Sequence, residues 1–139
     1  MIIRYATARD VKRVYPLINQ LASDTFTYAN FVISYRYNIK MNHCLVAEED
    51  DKILGLGTLS VIYPMHHSKR IAEVLELIVD ENNRGLGIGA KLLGMLTEIA
   101  IEKRCTEIEL ASNKKRKEAH KFYKREGFKS THLKLTKKL

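Results

Sequence analysis

Apolar and polar residues follow three patterns along this chain, and the changes between them divide it into elements. Ile2, Ile3 and Tyr5 form a short first strand. Asp10 stands where a cap is expected, ahead of a helix over 11–22 with Val11, Val14, Leu17, Ile18 and Leu21 on one face. Pro16 falls inside that pattern, costs helix stability and predicts a kink. A second helical stretch, over 27–40, is rich in rings: Phe26, Tyr28, Phe31, Tyr35 and Tyr37. Strands follow over 43–48 and 52–63, joined by a hairpin turn at Glu49-Asp50-Asp51-Lys52. A long strand over 71–79 leads into Arg84-Gly85-Leu86-Gly87-Ile88-Gly89. A helix over 88–104 then presents Ile88, Leu92, Leu93, Leu96, Ile99 and Ala100 on its apolar face. After a strand over 106–111 and a basic helix over 115–126, the stretch from Gly127-Phe128 to Leu139 reads as turn plus strand. There Leu133 and Leu135 share a face while Lys134 and Thr136 alternate with them. Antiparallel strands mixed with crossover helices predict an α+β layer structure.

Composition narrows the class. The 139 residues fit one domain, spanning 1–139, with 45% hydrophobic and 29% charged residues. Disorder and collagen-like repeats are excluded, and two cysteines, Cys44 and Cys105, are too few for a disulfide scaffold. Both read as small buried hydrophobes. No run approaches the ~20 apolar residues of a bilayer span, and the N-terminus lacks an apolar export core. Together with free thiols, this leads us to expect a cytoplasmic protein without a membrane partner.

The net charge of +8 is localised. Residues 1–111 carry 13 basic and 14 acidic side chains, a net of −1, whereas 112–139 carry 11 and 2, a net of +9. The positive charge begins at Lys114-Lys115-Arg116-Lys117 and continues through Lys121, Lys124 and Arg125. It would suit a nucleic acid or an anionic small molecule. Cationic residues at a helix N-terminus are electrostatically unfavourable, and a ligand phosphate nearby would explain them. A basic module that binds nucleic acid is thus the rival, less favoured reading.

The glycine-rich turn between strand and helix is the sharpest local feature. Gly85, Gly87 and Gly89 carry no Cβ, so a bulky anion can approach the amides that open the following helix, with Arg84 at the edge. The segment is no Walker loop, because no Gly-Lys-Ser/Thr follows, and its glycine spacing departs from the dinucleotide fingerprint. It reads as a diphosphate cradle, against the plainer alternative of a tight turn that needs positive φ.

The run from Val79 through Arg84, Gly87 and Gly89 to Leu93 resembles motif A of the GNAT N-acetyltransferase superfamily, with its Gln/Arg-x-x-Gly-x-Gly/Ala signature. Asn113 and the run Ala119-His120-Lys121-Phe122-Tyr123-Lys124-Arg125-Glu126-Gly127-Phe128 resemble motif B, and the opening Ile3-Arg4-Tyr5 to Asp10 resembles the family's first strand and cap. The resemblance implies a GNAT-like mixed β-sheet flanked by helices and splayed between its fourth and fifth strands. Acetyl-CoA would lie in the splay. Its diphosphate would meet the amides of Arg84, Gly85, Leu86, Gly87, Ile88, Gly89 and Ala90. Its arm would pair with Leu77, Ile78 and Val79, with Asn113, Ala119, Phe122 and Tyr123 on the other side. A closer resemblance, to aminoalkylphosphonate N-acetyltransferases, rests on His66-His67, Glu76-Leu77-Ile78-Val79, the run from Asn113 to Tyr123 and the ending Thr136-Lys137-x-Leu139.

That resemblance implies transfer of acetyl to a primary amine of a small molecule, an aminoalkylphosphonate being one candidate, by direct attack in a ternary complex. A protein lysine or N-terminal acetyltransferase is the alternative. The Ile78 amide would polarise the carbonyl. Tyr123, with a phenol pKa near ~10, would protonate the leaving thiolate. Glu73 and Glu76 are both candidate bases, Glu76 preferred; their odd spacing puts them on opposite faces unless a bulge intervenes. His66, His67 and either Tyr28 or Tyr35 are candidates for the acceptor side. Neighbouring histidines are a weak metal signal, so no metal ligands are assigned, although a divalent ion with Glu76 or His67 would suit a phosphonate. A homodimer through the C-terminal strand or the 27–40 helix is a further expectation.

Overall fold

The structure is a computed structural model that describes residues 1–21 and 26–139. It has five strands in the order β1-β2-β3-β4-β5. These are β1 (Ile2–Tyr5), β2 (His43–Glu49), β3 (Lys52–Ile62), β4 (Arg70–Val79) and β5 (Cys105–Leu110). The helices are α1 (Val11–Leu21), α2 (Tyr28–Met41), α3 (Ile88–Glu102) and α4 (Lys117–Arg125). Neighbouring strands from β1 to β4 run antiparallel, and β5 joins β4 in parallel. This mixed sheet matches the predicted class. Residue 22, the last of the predicted first helix, lies outside the described residues. Among those residues no helix is long and apolar enough to cross a membrane.

Local chemistry explains the joints. Asp50 and Asp51 adopt φ of 48° and 61°, the two-residue left-handed turn whose twist suits a hairpin. Thr7, rather than Asp10, occupies the cap position. A short 3₁₀ turn over Ala8–Asp10 precedes α1, and the Asp10 carboxylate accepts from the Thr7 amide at 2.8 Å. Asp10 is 1% exposed and lies between the guanidinium groups of Arg4 and Arg13, at 2.8 and 2.5 Å. Both arginines also reach Glu48, so one ion network ties β1, α1 and β2 together.

The sheet separates two apolar clusters. Leu45, Leu59, Leu92 and Leu96 centre the one beneath α3; Val14, Leu17, Phe31 and Tyr35 centre the one beneath α1 and α2. Gly55 and Gly57 let α3 sit close, since a Cβ at either would fall 2.9 Å from a leucine methyl of that helix.

The predicted final strand does not form. A turn closes at Gly127, and the Phe128 amide donates to the Tyr123 carbonyl at 2.9 Å. Beyond it residues 129–139 have no strand partner, with Leu133 and Leu135 80% and 88% exposed. Alternation supplies one apolar face, but a strand also needs a neighbour's backbone.

Candidate active site

β4 outruns its parallel partner. Pairing with β5 ends at Val74–Leu110, while β4 continues to Val79, so Leu75–Val79 border an opening. The Asp80 amide donates to the Leu54 carbonyl on β3 at 2.9 Å. Strand alternation therefore turns the Ile78 amide toward β3, and leaves those of Leu77 and Val79 facing the opening. This corrects the assignment of Ile78 as the oxyanion donor: its amide is committed to the sheet, whereas Leu77 is next to Glu76 and on the free side.

The turn after β4 is built for access. Gly85 and Gly87 hold φ of 80° and 78°, and nothing lies within 4 Å of where their Cβ atoms would be. Both therefore need glycine for conformation and leave open space above the backbone. Gly87 caps α3, and the Lys91 amide reaches back to its carbonyl at 3.1 Å. That geometry leaves the amides of Ile88, Gly89 and Ala90 without intrahelical acceptors. Arg84 and Leu86 are exposed, and Arg84 Nε donates to the Val79 carbonyl at 3.2 Å. Gln20, at the end of α1, donates to Asp80 Oδ1 at 3.0 Å and accepts from the Glu81 amide at 3.1 Å.

The two sequence motifs meet at this opening. A Cβ at Gly89 would touch Val79 Cγ2 at 3.6 Å and Phe122 Cζ at 3.7 Å. Leu77, Ile88 and Tyr123 share one core cluster, with Val79, Ala119 and Phe122 packed against it. Tyr123 is 8% exposed, its ring set edge-on to Phe128 at 5.8 Å. Burial pushes its phenol above the ordinary value, against a smaller opposite effect of Arg116. Asn113 lies exposed in the loop before α4, with its side-chain oxygen accepting from the Lys115 amide at 2.9 Å. Beside it the Ser112 hydroxyl is buried without a hydrogen-bond partner.

On the other face of the sheet lies a cavity of about 230 Å³ between α1, α2 and the strands. Glu76, Thr58 and Cys44 line it from the sheet, and Asn30, Ser34 and Asn38 from α2. Glu76 reaches it because of a bulge. Pairing passes from Thr58–Glu76 to Leu59–Val74, so Leu75 is an extra residue on β4. The bulge resolves the odd spacing: Glu73 and Glu76 fall on the same face, and only Glu76 lines the cavity. The Thr58 hydroxyl donates to Glu76 Oε2, and Thr58 Oγ1 accepts from the Glu76 amide at 2.9 Å. Burial raises the Glu76 carboxyl above its usual range, and the Thr58 bond offsets part of the rise. Burial likewise pushes the Cys44 thiol up to about 12, which leaves it unreactive at neutral pH.

Of the remaining candidates, only Tyr35 reaches this cavity. Tyr35 lines the cavity and Tyr28 does not; Tyr28 packs edge-on to Tyr15 at 5.2 Å. The Tyr35 hydroxyl is committed to the Thr7 carbonyl at 2.7 Å. His66 and His67 sit in the exposed turn between β3 and β4, rings 4.2 Å apart, and neither lines the cavity. Among the described residues no three His, Cys, Asp or Glu side chains converge as a metal site would require. Asn30, Ser34 and Asn38 are additional lining residues, and their four-residue spacing in the sequence marks one helix face. Thr58, Ser112 and Gln20 left no such signal.

Residues 11–128 match the family model described as the acetyltransferase (GNAT) family. An aminoalkylphosphonate N-acetyltransferase from Salmonella typhimurium is 34% identical over 139 residues, covering 99% of this chain and 90% of that protein. The crystal structure of a transcriptional regulator from Bacillus halodurans superposes with a TM-score of 0.87 at 26% identity, covering 99% of both chains. That of glucosamine-6-phosphate N-acetyltransferase from Arabidopsis thaliana superposes with a TM-score of 0.82 at 19% identity, covering 99% of this chain and 97% of its own, and shows the shared fold.

Proposed function

The chain belongs to the acetyltransferase (GNAT) family, and from that premise we propose that it transfers acetyl from acetyl-CoA to the primary amine of a small molecule. The observation that carries the reading is the bulge at Leu75. It turns the Glu76 carboxylate into the cavity while the following amide, Leu77, faces the opening on the strand's free edge. Acceptor and donor sides thus meet across one residue step.

The residues at the opening suit acetyl-CoA. The left-handed Gly85 and Gly87, with nothing above them, and the free amides of Ile88–Ala90 form a cradle for a diphosphate. The edge of Leu77–Val79 offers main-chain partners to an amide-bearing arm, and the buried Ser112 hydroxyl lacks the partner such an arm would provide. The basic side chains from Lys114 to Arg125 suit the remaining phosphate. When bound, acetyl-CoA supplies a thioester already activated toward amines.

This chain's residues do the rest. The cavity holds the amine in place, and proximity supplies much of the rate. Glu76, whose basicity is raised by burial, takes the ammonium proton directly or through water. The Leu77 amide stabilises charge on the carbonyl oxygen. Tyr123 stays protonated because burial raises its pKa, and it delivers a proton to the departing sulfur. The name of the Salmonella typhimurium relative makes aminoalkylphosphonates one acceptor class to test. Thiol release from acetyl-CoA should depend on an added primary amine. Release that ignores the amine, or none across aminophosphonates, amino sugars, polyamines, alkylamines and lysine peptides, would overturn the reading.

A further inference from the structure

The described residues that wall the cavity carry one formal charge, and it is negative. Among the described residues Glu76 is its lone carboxylate, and no Lys, Arg or His lines it. Residues 22–25, outside the described structure, read Ala-Ser-Asp-Thr and contain no basic side chain. The rest of that described wall is mostly apolar and aromatic, with the uncharged Thr58 on the sheet and Asn30, Ser34 and Asn38 in a row on α2. The 24 basic residues of the chain thus leave this site untouched.

Charge decides what such a cavity accepts. A phosphonate carries one to two negative charges near neutral pH. Burying it here would strip its water, offer no cation in return and set it near the Glu76 carboxylate. An ammonium group gains from the same carboxylate on entry, and an apolar body gains from the aromatic and aliphatic wall. Uncharged hydroxyl or amide groups could meet the side chains of Asn30 and Ser34, which donate to none of the described residues. The volume of about 230 Å³ is below the usual ~300–1,000 Å³ of small-molecule sites, so the acceptor is compact.

We infer that the acceptor is a compact primary monoamine with an uncharged, largely apolar body, and that anionic amines such as aminoalkylphosphonates are disfavoured. The inference rests on the reading of this cavity as the acceptor site of an acetyltransferase. It gives the chain a different preference from the one named for its Salmonella typhimurium relative.

The test compares matched pairs, propylamine against 3-aminopropylphosphonate and butylamine against 4-aminobutylphosphonate, by thiol release from acetyl-CoA with and without added divalent metal. We expect kcat/KM to favour the plain amine by at least ~10-fold, the change that ~1.4 kcal/mol of discrimination gives. A Ser34→Lys variant, which brings a cation to the wall, should move the ratio toward the phosphonate by about tenfold. Thermal melting checks that this variant is folded. A phosphonate used as well as or better than its plain partner, with metal or without, overturns the inference and leaves the acetyltransferase reading standing. No thiol release from either class, nor from the wider amine panel, overturns that reading and the inference with it.

Discussion

In the proposed mechanism Tyr123 and Glu76 carry the proton transfers, and each can be tested by a change that keeps shape and removes the proton chemistry. Tyr123→Phe retains the ring packed against Phe128. It should lower kcat by roughly 10²-fold, in the range for loss of a general acid, with the KM for acetyl-CoA nearly unchanged in steady-state assays. Glu76 acts as a base only when ionised. Because burial raises its pKa, activity should fall on acidification at a pH above the ordinary carboxylate range. Glu76→Gln should cut kcat/KM by about 10²-fold and remove that acid limb from the pH–rate profile. A limb that persists would assign it elsewhere. Both proposals start from the sequence, Tyr123 from its motif and Glu76 from a pair of candidates. The choice between Glu73 and Glu76 was not, because side-chain alternation is a local rule and the bulge at Leu75 is set by pairing with β3.

Elements, not single residues, create the opening and the turn beside it. The pattern of apolar positions predicted the four described α-helices and the five strands within a residue or two at most ends, since periodicity reports which face is buried. It mistook 129–139 for a strand, because Leu133 and Leu135 alternate with polar residues but find no partner edge. Between elements, Gln20 is the notable joint: it links the end of α1 to Asp80 and Glu81, just before the glycine turn. Gln20→Ala should raise the KM for acetyl-CoA about fivefold with kcat unchanged, the change that an exposed pair of bonds worth ~1 kcal/mol together gives. An equal fall in kcat with no change in KM would show that the contact serves another step.

Across the whole molecule, the Arg4–Asp10–Arg13–Glu48 network holds the first strand, first helix and hairpin as one unit. The arginine partners hold the Asp10 carboxyl well below its ordinary range. A depressed carboxylate pKa contributes stability that is complete above the unfolded value of ~4 and fades as pH falls toward the folded one. Asp10→Asn should therefore lower stability by about 2 kcal/mol near pH 7, less than for a sealed pair because both arginines are partly exposed. The deficit should shrink below pH 4 in denaturant titrations; a constant deficit would point to packing instead. Taken alone, the sequence determined the α+β class, the family motifs, the glycine turn and the address of the positive charge. All of these depend on residue type and spacing along the chain. Tertiary structure alone decided that Glu76 enters a cavity, that Leu77 rather than Ile78 has the free amide, and that no Lys, Arg or His among the described residues lines that cavity. Each depends on which strand lies beside β4 and which helices cover it, and that is fixed by contacts between residues far apart in the chain.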